Sequence, residues 1–303
     1  FGQVEADPAI LNLTAFETRF EEKRPFFQEG IGLFRCGPPC DGPFYTRRIG
    51  RAPQLRTSAN DPAFTSILGA AKVTGRFSNG YTFAMLNAVT NLERGATAAV
   101  IEPQTNYMVV RAARESRDGT RQAGLMITDV RRQLDQTTDP LLRRSATAVI
   151  AQSTIRFARS QYELLLYGGR SFVTGSANAI ALTQRSSVHY YQRPDHEEHY
   201  DPTRTSLEGG AFGASIKKIR GAVKFETFVR HSSPGQEMSD LGIVPTVNDM
   251  SIRQSIDLQQ LSPTRWFRSA FSSIAVEKHW TTGGLPAYFS AGVHTSATLP
   301  NSC

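Results

Sequence analysis

Apolar and polar residues alternate along most of this chain from about Phe64 onward, and a period of two is the pattern of a β-strand with one apolar face. The alternation is cleanest over 222–230, where an apolar set interleaves with a charged set. The apolar set is Val223, Phe225, Thr227 and Val229, and the charged set is Lys224, Glu226 and Arg230. Such a strand presents one face to an apolar surrounding and the other face to water. The whole chain predicts about eleven strands, or twelve with a further strand at 43–51.

The predicted connections between these strands alternate between short and long. Short turns are predicted near Asn79-Gly80, Asp118-Gly119, Arg159-Ser160 and Lys217-Lys218, and long connections near 92–104, 133–144, 174–204 and 232–248. Outer-membrane barrels have this asymmetry, with short turns on the periplasmic side and long loops outside. Residues 61–303 are therefore predicted to form an all-β, antiparallel, outer-membrane-type β-barrel. A soluble sandwich or a propeller is the alternative, although no repeated blade signature is present.

Residues 1–60 lack this regular alternation and predict an irregular N-terminal segment. Phe16 and Phe20 are four residues apart, which predicts one helical turn that Pro25 would end. The segment then either adds a strand at 43–51 or threads the barrel as a plug, and the pattern does not decide between these two arrangements. The chain starts at Phe1, and its last residues close no strand, so we expect a piece of a longer protein and a barrel that is incomplete at its C-terminal end.

Composition agrees with a membrane barrel and argues against nucleic-acid binding. Hydrophobic residues make up 40% of the chain, and no apolar run approaches the roughly 18 residues of a transmembrane helix. Net charge is +7, but the 34 Lys and Arg residues are scattered and are not interleaved with aromatic residues. Polar residues that would line the lumen, contact lipid head groups or bind an anionic ligand are Arg47, Arg48, Arg51, Gln152, Arg156, Lys224, Glu226 and Arg230.

No catalytic motif occurs, which argues against an enzyme in this segment but leaves the question open for the whole protein, and no cofactor is expected. His196 and His199 are weak metal candidates, because their spacing matches no established ligand motif, and an exposed folded loop is the favoured interpretation. Cys36 and Cys40 enclose Gly-Pro-Pro and predict a small loop disulfide in an oxidising compartment, with two free thiols as the alternative.

Several strings in the chain resemble the DUF5916 family. The strings are FGQVEADPA at 1–9, LNLTAFET at 11–18, EKRPFFQEG at 22–30 and FYTRRIGR at 44–51, with shorter similarities at 67–75, 201–206 and 240–242. The resemblance implies a bacterial envelope protein with a signal peptide, a family 9-like carbohydrate-binding module and a C-terminal barrel. This chain departs from that pattern because it carries no carbohydrate-binding module, and the family provides no catalytic residues to transfer.

The sequence therefore favours an outer-membrane barrel of Gram-negative bacteria that acts in envelope transport or anchors a carbohydrate-binding module. Its expected partners are outer-membrane lipid and, through a module outside this chain, glycan. The alternative is a secreted, soluble, β-rich carbohydrate-active protein that binds or hydrolyses glycan. An inert surface scaffold is a third and weaker hypothesis.

Overall fold

The computed structural model describes residues 11–12, 17–35, 42–244 and 246–300. The strands are β1 (Ile67–Arg76), β2 (Tyr81–Thr90), β3 (Glu93–Arg94), β4 (Val100–Glu102), β5 (Thr105–Glu115), β6 (Arg121–Arg132), β7 (Ser145–Phe157), β8 (Tyr162–Thr174), β9 (Ser206–Lys218), β10 (Val223–Ser232), β11 (Asp249–Gln259), β12 (Ser269–Trp280) and β13 (Pro286–Thr298). The helices are α1 (Pro25–Gln28) and α2 (Ala177–Gln184), with 3₁₀ turns at Ile31–Phe34 and Thr46–Arg48. None of the helices in the described ranges has the length and apolar character of a transmembrane helix.

Eleven of the described strands form one antiparallel sheet in chain order, from β1 and β2 through β5 to β13. The remaining two, β3 and β4, make a small hairpin within the connection from β2 to β5. The prediction of an all-β antiparallel fold with about eleven strands is confirmed. The sheet is not closed into a barrel, because β1 and β13 are its two edges and do not pair with each other in the described residues.

Connection lengths sort the sheet into two ends, as the sequence predicts. The end that we call the turn end carries the connections 77–80, 116–120, 158–161 and 219–222. The opposite end, the loop end, carries 91–104, 133–144, 175–205 and 233–248. Gly80 shows why the first turn needs glycine, since its φ is +86° and an added Cβ would lie 2.2 Å from the Glu115 carbonyl oxygen. The last two connections, 260–268 and 281–285, do not keep this asymmetry.

The sheet has two unlike faces. Residues 17–35 and 42–60 pack against one of them, which we call the inner face, and the opposite face is the outer face. Leu86, Tyr107 and Val109 point to the inner face and are buried against Phe27 and Ile49 of the N-terminal segment. The strand register makes every second residue of β2 and β5 to β13 face the same way.

One predicted face assignment is wrong at the start of β1. The period of two puts Ile67 on the same face as Val73, but Ile67 is buried on the inner face while Val73 is 61% exposed. The cause is a register shift between Ile67 and Gly69, where β1 has an extra residue relative to β2. A bulge of this kind reverses the direction of all side chains on one side of it.

The expected strand at 43–51 does not form. Thr46–Arg48 is a 3₁₀ turn instead, and its backbone is bound by loops rather than by a neighbouring strand. The Tyr45 N–H donates to the Leu241 carbonyl at 2.8 Å, and Arg24 donates to the carbonyls of Thr46 and Ile49 at 3.1 and 2.7 Å. These hydrogen bonds hold the segment against the inner face, and they take the place of the bonds that a neighbouring strand would make.

Pro25 starts a helix instead of ending one. It is the first residue of α1, where the absent N–H of proline costs nothing, and residues 17–24 before it have no regular structure. Lys72 on the inner face of β1 donates to the carbonyls of Phe26 and Glu29, which fixes this helix on the sheet.

Candidate functional site

The outer face is an apolar surface that no charge interrupts between its two ends. Its charged residues on the strands lie only near the turn end or near the loop end: Arg114, Arg121, Asp129, Arg131, Arg170, Glu208, Lys218 and Lys278. Between them the side chains are largely aliphatic or aromatic, and many are bare; Ile256 is 47% exposed and Val293 is 72% exposed. An exposed apolar area that continues over eleven strands is far larger than the patches that soluble proteins tolerate.

The inner face, in contrast, carries polar and charged side chains between its two ends. Gln152, Arg156, Lys224, Glu226 and Arg230, all predicted to line a lumen, lie on this face. The cross-strand ion pairs put Arg156 and Glu226 in one polar row.

This polar row crosses four strands near the turn end. Arg156 Nε lies 2.9 Å from Glu163 Oε2, Lys217 Nζ lies 3.3 Å from Glu163 Oε1, and Lys217 Nζ lies 3.8 Å from Glu226 Oε1. Charges alternate along the row from β7 to β10, so each is compensated by its neighbours. Lys224 extends the polar surface by donating to Gln259 Oε1 at 2.9 Å.

The three arginines of the N-terminal segment, which were also predicted to face a lumen, lie in different surroundings. Arg47 lies at the surface and donates to the Glu21 carbonyl at 2.8 Å. Arg48 is buried, donates to the Gly242 carbonyl at 3.0 Å and pairs with Glu17. Arg51 has two buried guanidinium nitrogens, Nε and Nη2, with no hydrogen-bond partner. Burial, together with the charges of Arg132 and Arg48, lowers the pKa of Arg51.

A cluster of buried charges, which we call the buried ion cluster, ties three loop-end connections together. Its members are Arg132, Arg143, His189, Glu237 and Asp240. Arg132 Nη2 lies 2.6 Å from Asp240 Oδ1, and Arg143 bridges Glu237 at 2.7 Å and Asp240 at 3.0 Å. His189 Nε2 lies 3.1 Å from Glu237 Oε2, and its Nδ1 donates to the Pro234 carbonyl at 2.8 Å. The 233–248 connection is thereby fixed to β6, to 133–144 and to 175–205.

The charges in this cluster hold one another ionised. Burial alone would raise the pKa of Glu237, but Arg143 and a hydrogen bond from His189 hold it well below its usual range. Burial would also raise the pKa of Asp240, and Arg143 and Arg132 lower it instead. The same two carboxylates raise the pKa of Arg143 against the effect of burial. Each charge is therefore stabilised only while its partners stay in place.

The histidines of the 175–205 connection do not converge on a metal site. His196 is buried against the Tyr191 ring, with centroids 4.5 Å apart, whereas His199 is exposed. Within the described ranges, no group of three His, Cys, Asp or Glu side chains could hold a metal ion. The expectation that this connection is an exposed loop is wrong for His189, Tyr191 and His196, which are all buried. The predicted pair Cys36 and Cys40 lies outside the described residues.

Two cavities lie between the inner face and the segments that cover it. The larger, about 620 Å³, is bordered by Phe34, Tyr45, Arg35 and Glu22 of the N-terminal segment and by Met126 of β6. The smaller, about 270 Å³, lies over β7 to β10 beneath the 233–244 part of a loop-end connection.

The buried ion cluster was not predicted from the sequence. Arg132 and Arg143 lie at the two ends of a loop-end connection, and only the sheet brings them to Glu237 and Asp240, about a hundred residues away. One signal was available, because Asp240-Leu-Gly242 is among the strings that resemble the family.

Three comparisons with known proteins bear on this chain. The model of the DUF5916 family, a domain of unknown function, matches residues 1–134, which confirms the resemblance over that part of the chain. No curated protein has a sequence that matches this chain. A solved structure of a porin, refined at 1.8 Å resolution, is similar with a TM-score of 0.42 and 15% sequence identity. That similarity covers 75% of this chain and 60% of the porin chain, so this chain spans less than two thirds of it.

Proposed function

We propose that this DUF5916 chain is part of an integral β-barrel protein of the bacterial outer membrane. The observation that carries the proposal is the outer face, whose apolar band crosses eleven strands without a charge between its two ends. Strands of this sheet are 10 to 13 residues long, and a tilted strand needs about 9 to 11 residues to cross the hydrocarbon layer. Water would be a poor solvent for this face, whereas lipid chains match it.

Strand direction supports an even-numbered barrel. β1 and β13 both run from the loop end to the turn end, because they are the first and the last of eleven successive antiparallel strands. Direct pairing of β13 with β1 would therefore be parallel. An all-antiparallel barrel needs an odd number of further strands between these edges, and unpaired edges are costly in lipid.

The inner face supports a role in envelope transport, or in holding a carbohydrate-binding module at the membrane. Its polar row and the neighbouring Lys224 would line an aqueous lumen, with the N-terminal segment as a plug that occupies part of it. Outer-membrane lipid is the proposed partner of the outer face, and glycan would be bound by a module outside this chain. Nucleic acid is not a proposed partner.

Membrane fractionation of the protein in its native host, followed by gel electrophoresis of heated and unheated samples, tests the location. A barrel gives an outer-membrane band whose mobility changes on heating. A soluble periplasmic or secreted band would overturn the proposal and favour the alternative, a secreted carbohydrate-active protein, for which glycan binding and hydrolysis would be assayed next.

A pair of adjacent substitutions tests the lipid-facing assignment itself. Ile256 on the outer face lies between Phe225 and Ile274, whereas Ser255 on the inner face lies between Glu226 and Ala275. Ile256→Arg should cost about 2–4 kcal/mol of stability in a bilayer, since it places a charge in hydrocarbon.

The control variant Ser255→Arg, one residue away, should be almost neutral because its new charge faces Glu226 and water. Urea unfolding in lipid vesicles measures both variants. Equal costs for the two substitutions would contradict the assignment of the faces.

A further inference from the structure

We propose that the smaller cavity on the inner face is a binding site for a small organic anion that has one carboxylate and an apolar body. The argument for the site uses only described residues, and the site does not depend on whether the outer face meets lipid. Its volume, about 270 Å³, is just under the range of roughly 300–1,000 Å³ that is usual for ligand pockets. A small ligand is therefore the one that it fits.

The body of the cavity is apolar. Ile150 and Ala211 of the sheet form its floor, and Met238, Ile243 and Val244 of the loop-end connection form its cover. Ile150 and Met238 belong to one small apolar cluster with Tyr167 and Ala148. An aromatic ring or a short aliphatic chain would replace water here at a gain in free energy.

Tyr167 has room in this cavity because its strand neighbour is glycine. Tyr167 of β8 pairs directly with Gly213 of β9. A Cβ on Gly213 would lie 2.3 to 2.6 Å from atoms of the Tyr167 ring, so the ring lies flat over the glycine. This contact fixes the orientation of the phenol, and the ring forms a flat wall beside the apolar floor.

Two guanidinium groups give the cavity a positive charge that the described residues do not neutralise. Arg19, Arg170 and Arg230 border it, and no Asp or Glu is among the described residues that line it. The Arg170 side chain belongs to the outer face and lies 3.9 Å from Glu208, which leaves Arg19 and Arg230 for the cavity. Arg230 donates one long bond, 3.3 Å, to the Thr246 carbonyl, and Arg19 lies 5.7 Å from the centre of the Tyr45 ring. Neither arginine forms an ion pair with a carboxylate of the described chain, unlike Arg132 or Arg156.

The carboxylate of Asp249 is on the same face, but no ion pair joins it to Arg19 or Arg230 among the described residues. Its Oδ1 lies 2.7 Å from His279 Nδ1, and Asp249 is not part of the cavity lining. Two donors beside an apolar floor are the arrangement that recognises an amphipathic carboxylate, because guanidinium binds carboxylate through paired hydrogen bonds.

Titration calorimetry of the protein in lipid nanodiscs tests this site with benzoate, and with benzyl alcohol as its uncharged analogue. Titration of each probe into nanodiscs without the protein measures its partition into lipid, and that heat is subtracted. We expect benzoate to bind and benzyl alcohol to bind at least about tenfold more weakly, since the alcohol lacks the charge-assisted bonds. No binding of benzoate, or equal binding of the two probes, would overturn the proposal.

Variants locate the binding to this cavity. Arg230→Gln should weaken benzoate by about tenfold or more, and Ala211→Phe should remove binding by filling the cavity without changing charge. The matched control is Arg253→Gln on the inner face of β11, which does not border the cavity. If Arg230→Gln and Arg253→Gln have the same effect, the anion is attracted by the general charge of the inner face and the proposed site is wrong.

Discussion

Arg131 and Arg132 are consecutive residues that make ion pairs in opposite surroundings, and this allows a direct measurement of what the buried ion cluster contributes. Arg131 is 60% exposed and pairs with Asp129 on the outer face, whereas Arg132 is 1% exposed and pairs with Asp240. Substitution by methionine removes either charge and keeps most of the aliphatic length. The two variants therefore differ mainly in the surroundings of the charge that is removed, because Arg131 is largely exposed and its partner Asp129 keeps a hydrogen bond from the Thr147 hydroxyl, whereas Arg132 and Asp240 are both buried.

Arg132→Met should lower the free energy of unfolding by about 3 kcal/mol. Removing one partner of a buried pair costs about 3–5 kcal/mol because the other charge is left uncompensated. The lower end of this range of costs applies, because Asp240 keeps its second partner, Arg143, at 3.0 Å. Arg131→Met should cost less than about 1 kcal/mol, as is usual for exposed pairs.

Urea unfolding of both variants in lipid vesicles measures these values, and limited proteolysis provides an independent test. The 233–248 connection should be cleaved faster in Arg132→Met only, because the cluster is what fixes it to β6. A double-mutant cycle with Asp240→Asn gives the coupling energy of the pair. Equal costs for the two methionine variants, or a coupling energy near zero, would refute the reasoning.

Three further outcomes are expected. The buried ion cluster holds the pKa values of Glu237 and Asp240 below their usual range. The two ionised carboxylates therefore stabilise the fold fully above about pH 4, and this stabilisation is lost as the pH falls through their pKa values in the folded protein. Proteolysis of the 233–248 connection should accelerate below about pH 4 and stay constant above it. Gly213→Ala should cost about 1–3 kcal/mol, because its Cβ meets the Tyr167 ring, whereas a neutral result in urea unfolding would mean that the ring moves freely. Leu86→Ala should cost about 2–5 kcal/mol, because Leu86 is only 1% exposed, and a cost below this range would show that the N-terminal segment repacks over the gap.

The strands and their faces could be predicted from the sequence because the period of two is a local property. Lys224, Glu226 and Arg230 lie on the face of β10 opposite to that of Val223, Phe225 and Val229, as their spacing predicts. The same rule fails at Ile67, where one extra residue in β1 reverses the face. A bulge leaves no mark on composition, so periodicity alone does not reveal it.

The N-terminal segment and the buried ion cluster could not be predicted in the same way, because their partners are distant in the chain. Arg48 looked like part of a strand, but its guanidinium binds the Gly242 carbonyl, 194 residues away. Arg143 lies in the predicted 133–144 connection, and its partner Glu237 lies in a different connection. The local sequence determines the tendency of a segment to form a strand or a helix, whereas contacts between distant residues depend on the complete topology of the sheet.

The contact between Arg48 and Gly242 also has a consequence for the order in which the protein assembles. Arg48 is synthesised early, yet its partner follows β10, so the segment stays without this contact until ten of the thirteen strands have been made. Closing such long loops is slow, and the waiting intermediate exposes apolar surface and strand edges. Folding of this protein should therefore be slow and should depend on a holding chaperone, with the N-terminal segment docking late although it precedes the strands in the chain.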